Sequence, residues 1–145
     1  MGSPVTIRRA GVDNAEALLA LWRVADATPS VTDTITDLRR ALSNEGLACF
    51  VADQDGSVVG SIIAGFDGWR GSIYRLAVHP DVRRRGIARQ LVDAAENVLA
   101  GWGARRISAL VEKDHAWAVS FWHAVGYVPD ERMSRFVRNL GVGAV

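Results

Sequence analysis

Between Leu76 and Arg89 the chain reads Leu-Ala-Val-His-Pro-Asp-Val-Arg-Arg-Arg-Gly-Ile-Ala-Arg. An apolar run is stopped by a proline and restarts, through a glycine, as apolar residues at helical spacing. This order predicts a strand, a tight turn and a helix whose first N–H groups face open space. Such groups have no intrahelical partner and sit at the positive end of the helix dipole, so they bind anions through the main chain. Small residues at Gly86 and Ala88 let an anion approach. Neither three spaced glycines nor a Gly-Lys-Ser/Thr ending is present, so the segment is neither a dinucleotide fingerprint nor a Walker loop. Between Arg70 and Arg89 lie six arginines and one aspartate, an excess that suits a ligand with several phosphates.

The flanking sequence builds one domain around this segment. Val5 to Arg8 alternates as a first strand. Asp13 is placed to cap a helix with Ala15, Leu18, Leu19, Leu21 and Trp22 on one face. Residues 26 to 33 read as a loose lid, and a short helix is expected from Asp33 or Thr34 to Ser43. Residues 47 to 53 and 57 to 66 form a hairpin through Asp55-Gly56, and a second turn at Phe66 to Gly71 leads to a strand from Ser72 to Val78. A long helix is expected from Arg83 to Gly101 or Gly103, then a strand from Arg106 to Glu112, a helix from Ala116 to Ala124 stopped by Gly126, and a last alternating strand from Met133 to Asn139. The tail after Leu140 is read as frayed.

The 145 residues suit a single domain over 1–145, with its ordered core at about 4–140. With 17 Lys+Arg against 16 Asp+Glu, bulk charge gives no reason to expect a nucleic-acid partner. No apolar run reaches membrane-span length and no leader opens the chain, which implies a protein of the cytoplasm. The start Met1-Gly2-Ser3-Pro4-Val5-Thr6 formally fits a myristoylation pattern, but no basic second anchor follows it. The lone Cys49, inside Leu47 to Ala52, reads as a packed thiol. No Cys/His cluster has metal-ligand spacing, so no metal is expected.

Arg83-Arg84-Arg85-Gly86-Ile87-Ala88 resembles the phosphate-binding element Gln/Arg-x-x-Gly-x-Gly/Ala of the GNAT superfamily of N-acetyltransferases. The preceding Leu-Ala-Val-His-Pro and the later Ala118, Trp122, Gly126-Tyr127 spacing are also similar to that family, and the likeness spans nearly the whole chain. The stretch from Phe66 to Tyr74 resembles the small bacterial YpeA-like branch. The resemblance implies an α/β (α+β) fold with a mixed, mostly antiparallel sheet of six to seven strands flanked by about four helices.

It further implies acetyl-CoA as acyl donor, bound in a split between the strands at 72–78 and 106–112. Pantetheine would pair with the backbone at Leu76 and Val78, the N–H groups of Arg84, Arg85, Gly86, Ile87, Ala88 and Arg89 would hold the pyrophosphate, Phe121 and Trp122 would flank the thiol end, and Ala77, Arg83 and His115 would also touch the cofactor. Val78 N–H would polarise the thioester carbonyl. An amine acceptor would lie near Trp22, Asp26, Asp67 and Tyr74, with Glu112 or Asp67 as base, and the edge strands leave a homodimer open.

Two positions depart from the family's pattern: Trp122 stands where many members have the tyrosine that protonates the departing thiolate, and His115 where they have asparagine. Indole is a poor proton donor. Tyr127, Tyr74 and His115 are the replacement candidates, although a thiol of pKa about 8.5 is a tolerable leaving group as its anion. Alongside an acetyltransferase acting by direct attack in a ternary complex stand two other readings, a catalytically weak acyl-CoA-binding or regulatory module and a nucleic-acid binder using the Arg83–Arg89 helix start.

Overall fold

The structure is a computed structural model and describes residues 3–141. Met1, Gly2 and the last four residues lie outside them, and with them part of the myristoylation match and most of the tail read as frayed. The chain forms β1 (Thr6–Arg9), α1 (Ala15–Val24), α2 (Ile35–Leu42), β2 (Leu47–Gln54), β3 (Ser57–Phe66), β4 (Gly71–Val78), α3 (Ile87–Trp102), β5 (Ile107–Ala109) and α4 (Ala116–Ala124), with 3-10 turns at Val12–Asn14 and Pro80–Val82. The five strands run β1-β2-β3-β4-β5 in space. The first four are antiparallel neighbours, and β5 joins β4 in parallel through Gly71–Ile107, Ser72–Ser108 and Ile73–Ala109.

Local chemistry sets the joints. Asp55 and Gly56 both take left-handed φ, 53° and 84°, as a two-residue hairpin between β2 and β3 requires. Thr34 Oγ1 accepts from Asp37 N–H at 3.1 Å and caps α2. Asp13 does not cap α1; it lies in the preceding 3-10 turn, where Asn14 Oδ1 accepts from Gly11 N–H at 3.0 Å. The sheet separates two cores. On one face α3 and α4 bury Ile62, Ile73, Leu91, Leu99 and Trp122; on the other α1 and α2 bury Leu18, Trp22, Leu38, Val51 and Ile63.

The α/β class, the meander and the four helices agree with the sequence reading, and three details do not. Five strands form among the described residues instead of six to seven, because residues 133–139 form no strand. The strand expected over 106–112 is confined to Ile107–Ala109, since Leu110 N–H to Ile73 O at 3.0 Å is the last bond joining it to β4 among the described residues. The long helix begins at Ile87 rather than Arg83, because Arg84 and Gly86 are left-handed (φ 66° and 77°) and cannot continue an α-helix.

Cys49 is packed under α1, and burial pushes its thiol up to about 12. The thiolate is the reactive form. Folded protein is therefore expected to leave a colorimetric thiol reagent unreacted at pH 8, with one thiol titrating on addition of urea; prompt reaction without denaturant would contradict this packing.

Candidate active site

β4 carries a bulge at the centre of the sheet. Ile63 faces Tyr74 and Ser61 faces Ala77, so Ile62 alone opposes both Arg75 and Leu76. Arg75 takes a left-handed φ of 57°, a conformation costly for a residue with a Cβ. The surroundings hold it there. Its carbonyl accepts from Ser61 Oγ at 2.8 Å, and that oxygen in turn accepts from Trp22 Nε1 at 2.9 Å. Its guanidinium lies 4.6 Å from the Trp22 ring centre, pairs with Asp33 at 2.8 Å and donates to Thr28 O at 3.2 Å.

The extra residue shifts the phase of the strand. Before the bulge, Ile73 turns its carbonyl to β5; after it, Ala77 pairs with Ser61 and His79 N–H donates to Val59 O at 2.8 Å. Leu76 and Val78 consequently turn their backbone groups to the β5 side, where β5 has ended. A gap in the ladder opens there, since the pairing with β5 ends at Ile73–Ala109. Val78 O accepts from Arg83 Nε at 3.3 Å, which ties the following turn to the end of β4.

That turn ends in the start of α3. Gly86 O accepts the first intrahelical bond, from Gln90 N–H at 3.1 Å, and no side chain caps the N–H groups ahead of it; no acidic residue occupies the first turn. A Cβ on Gly86 would meet nothing within 4 Å, so the space over these donors is open. Left-handed Arg84 and Gly86 on either side of Arg85 turn successive N–H groups toward a concavity. Arg84 and Arg89 are exposed, whereas Arg85 Nη2 bonds Ser3 O at 2.9 Å.

α4 packs on the same core as α3. His115 caps it, Nδ1 accepting from Ala118 N–H at 3.2 Å. Trp117 stacks on Phe121 at 5.4 Å, Phe121 meets Trp122 edge-on at 5.6 Å, and Trp122 meets Tyr127 at 4.8 Å. Trp122 is 5% exposed. The Tyr127 hydroxyl donates to Glu96 Oε2 at 2.6 Å, and burial together with that carboxylate raises its pKa.

The α1–α2 loop, read from sequence as a mobile lid, is tied down at both sides of the gap. Glu112 Oε1 accepts from Thr28 Oγ1 at 2.6 Å and Thr28 N–H at 3.0 Å. With Arg75 holding Thr28 O and Asp33, the loop forms a strap from β4 to the chain after β5. The Thr28 hydroxyl, chiefly, holds the Glu112 carboxyl below its usual range. A cleft of about 410 Å³ opens beside it, lined by Thr28, Glu112, Lys113, Asp114 and His115.

The structure thus joins Leu76 and Val78 to the turn into α3 through Arg83 and links Glu112 to Arg75 through Thr28, while Phe121 packs against the α3 core. Ala77 packs its side chain on the opposite, α1–α2 face, as does half-buried Tyr74. Trp22 is 5% exposed, with its N–H and one ring face taken, so it supports the strap from beneath. Asp26 is exposed at the end of α1. Asp67 is far from the gap along the sheet: its Oδ1 accepts from Trp69 and Arg70 N–H at 2.8 and 2.7 Å in the turn before β4, beside the closed end. Sequence reasoning missed Arg75, Ser61, Thr28 and Asp33. A charged residue in the apolar run Ser72–Val78, and a serine in the run Val58–Ala64, were the available signals. Among the described residues no group of three or more His, Cys, Asp or Glu is placed to hold a metal, and no helix is long and apolar enough to cross a membrane.

Residues 14–127 match the family model described as Acetyltransferase (GNAT) family. An acetyltransferase of Pectobacterium atrosepticum is 36% identical over 115 residues, covering 79% of this chain and 82% of the relative. One of Sodalis glossinidius is also 36% identical, covering 79% and 81%. Among solved structures, the aminoglycoside N-acetyltransferase AAC(6')-Iy in complex with CoA is 22% identical with a TM-score of 0.78, covering 97% of this chain and 98% of that one. A ribosomal-protein-alanine N-acetyltransferase from Brucella melitensis is 18% identical with a TM-score of 0.71, covering 94% and 100%.

Proposed function

The chain belongs to the GNAT family of acetyltransferases, and from that membership and the geometry of the gap we propose that it passes the acetyl group of acetyl-CoA directly to a primary amine, in the cytoplasm. The observation that carries this reading is the open, uncapped start of α3 between left-handed Arg84 and Gly86. A helix end left without partners beside open space fits a pyrophosphate bound by main chain.

The N–H groups from Arg84 to Arg89 hold the two phosphates, with the exposed Arg84 and Arg89 side chains adding charge. The backbone edges of Leu76 and Val78 replace the missing strand partner with the amides of the pantetheine arm. Val78 N–H faces the thioester oxygen and stabilises the charge that develops there. Acetyl-CoA supplies an activated acyl group; as the amine N–C bond forms, the C–S bond breaks, the sulfur leaves as thiolate and the nitrogen's surplus proton passes to water.

Proton handling follows from the side chains present. Glu112 is already an acceptor for Thr28 and its carboxyl is held low, so it positions the strap and the incoming cation rather than acting as a strong base. The acceptor amine must then arrive partly neutral. An α-amine of pKa about 7.7–8.0 does, and a lysine side chain near 10.4 does not. The indole N–H of Trp122 is too weak an acid to protonate a thiolate and Tyr127 is committed to Glu96, so the thiolate departs without a general acid. These same two residues are what favour a second reading, an acyl-CoA-binding module with little turnover.

Incubating the protein with acetyl-CoA and a panel of a peptide α-amine, an aminoglycoside and a polyamine, followed by mass spectrometry, separates the two. N-acetylated product with one CoA released per acetyl transferred supports the enzyme; tight CoA binding with no product supports the module. Trp122→Tyr restores a phenol near the thiol end. Because the thiolate leaves unaided, kcat is expected to stay within about threefold; a gain approaching the 10² to 10⁴ typical of general acids would show that protonation limits turnover.

A further inference from the structure

Arg75 stands where the backbone favours glycine. Its φ of 57° falls at the bulge of β4, and a Cβ raises the cost of that conformation. What the side chain adds is a hold on the α1–α2 loop. Nη2 reaches both Asp33 oxygens, at 2.8 and 3.1 Å, and Thr28 O at 3.2 Å, with the guanidinium over the Trp22 ring.

Residues 28–33 have little else to place them. None of them is buried, and among the described residues every hydrogen bond they make outside their own segment goes to Arg75 or Glu112. The Thr28–Glu112 bonds are exposed, whereas the side chains of Arg75 and Asp33 are 17% and 25% exposed. The guanidinium–carboxylate pair is therefore the firmer of the two tethers.

A break between two strands opens to both faces of a sheet. α3 packs on one face, and the loop, resting on Trp22 through Arg75, lies on the other with α1 and α2. With acetyl-CoA held at the start of α3, an amine that attacks the thioester arrives from the side of the loop, through the cleft that Thr28 lines with Glu112 and His115. We propose that Arg75 is a positioning residue for the acceptor, its pair with Asp33 fixing residues 28–33 as the wall that holds the arriving amine. This inference rests on the acetyl-transfer reading. One residue then serves both substrates: its main chain shapes the edge for acetyl-CoA, and its guanidinium shapes the entrance for the amine.

Arg75→Gly suits the left-handed backbone, keeps the bulge and cuts the tether. Asp33→Asn removes the charge and still leaves an oxygen for Ser30 N–H, which Asp33 accepts at 3.1 Å. In both variants, hydrogen–deuterium exchange at the loop amides is expected to quicken about tenfold or more, while the melting temperature and CoA affinity stay near native. With the peptide α-amine, the aminoglycoside and the polyamine as acceptors, KM for each amine that is acetylated is expected to rise about tenfold or more at unchanged kcat and unchanged KM for acetyl-CoA, as lost acceptor binding requires. Arg75→Lys keeps a cation between Trp22 and Asp33 and is expected to recover part of both effects. Native exchange at the loop in Arg75→Gly and Asp33→Asn overturns this inference and leaves the reaction standing; so does faster exchange with an unchanged acceptor KM. A native chain that acetylates none of the amines overturns the reaction and this inference with it.

Discussion

Gly86→Val is expected to weaken binding of CoA and acetyl-CoA by about 100-fold or more. The φ of 77° at Gly86 turns the chain so that the N–H groups opening α3 face outward, and nothing in the protein lies within 4 Å of where a Cβ would project. That space is where we propose the pyrophosphate to sit. A branched side chain there separates the phosphates from the backbone donors, and two lost charge-assisted bonds at about 1.5 kcal/mol each correspond to about 100-fold in affinity. The left-handed conformation itself costs about 1–2 kcal/mol once a Cβ is present, so the apo variant melts a few degrees lower but folds. Gly86→Ala carries similar backbone strain with a smaller obstruction and is expected to fall between. Isothermal titration of both variants, beside their apo melting curves, separates strain from obstruction. Unchanged affinity in folded Gly86→Val would mean that the phosphates do not sit at this helix start.

Ser61→Ala is expected to destabilise the protein by about 3 kcal/mol, although it removes a single oxygen. Ser61 is fully buried, and its hydroxyl serves two groups that have no other partner, Trp22 Nε1 and the carbonyl of Arg75. Each orphaned buried group costs about 1–3 kcal/mol. The Arg75 carbonyl exists as a free acceptor only because the bulge removes it from the ladder. Losing its partner therefore loosens the element that turns Leu76 and Val78 toward the gap. Urea denaturation with an unchanged m-value reads the stability loss, and a fall in kcat beyond it reads the loosened bulge. A loss below about 1 kcal/mol would show that other contacts set the bulge.

The helices, the β2–β3–β4 meander and the anion cradle were legible in the chain because each is written in neighbouring residues: apolar spacing in Leu91 to Leu99, Asp55-Gly56, Pro80 with Gly86. What was not legible depends on which segment faces which. Alternation in Met133 to Asn139 shows that a strand is possible, not that a partner is present in the same chain. The bulge is a mismatch between two strands, Ile62 against Arg75 and Leu76, and neither strand alone contains it. Glu112 read as a candidate base because its partner, Thr28, lies 84 positions earlier; only the folded chain shows that its oxygen is already occupied. Asp67 read as an acceptor-side carboxylate for the opposite reason, since its turn-forming bonds to Trp69 and Arg70 were local but its distance from the gap was not. Trp22, expected to line the acceptor site, is buried with its N–H on Ser61 and its ring under Arg75, a pairing that only the folded chain shows.

The account rests on acetyl-CoA occupying the gap between β4 and β5 with its pyrophosphate on α3, and thermal melting with and without acetyl-CoA and CoA tests that most directly. A ligand present at 100 times its dissociation constant adds about 2.7 kcal/mol of stability. A rise in Tm of several degrees with either ligand in the native chain, absent in Gly86→Val, is the predicted result. No shift for the native chain at millimolar ligand would contradict the account.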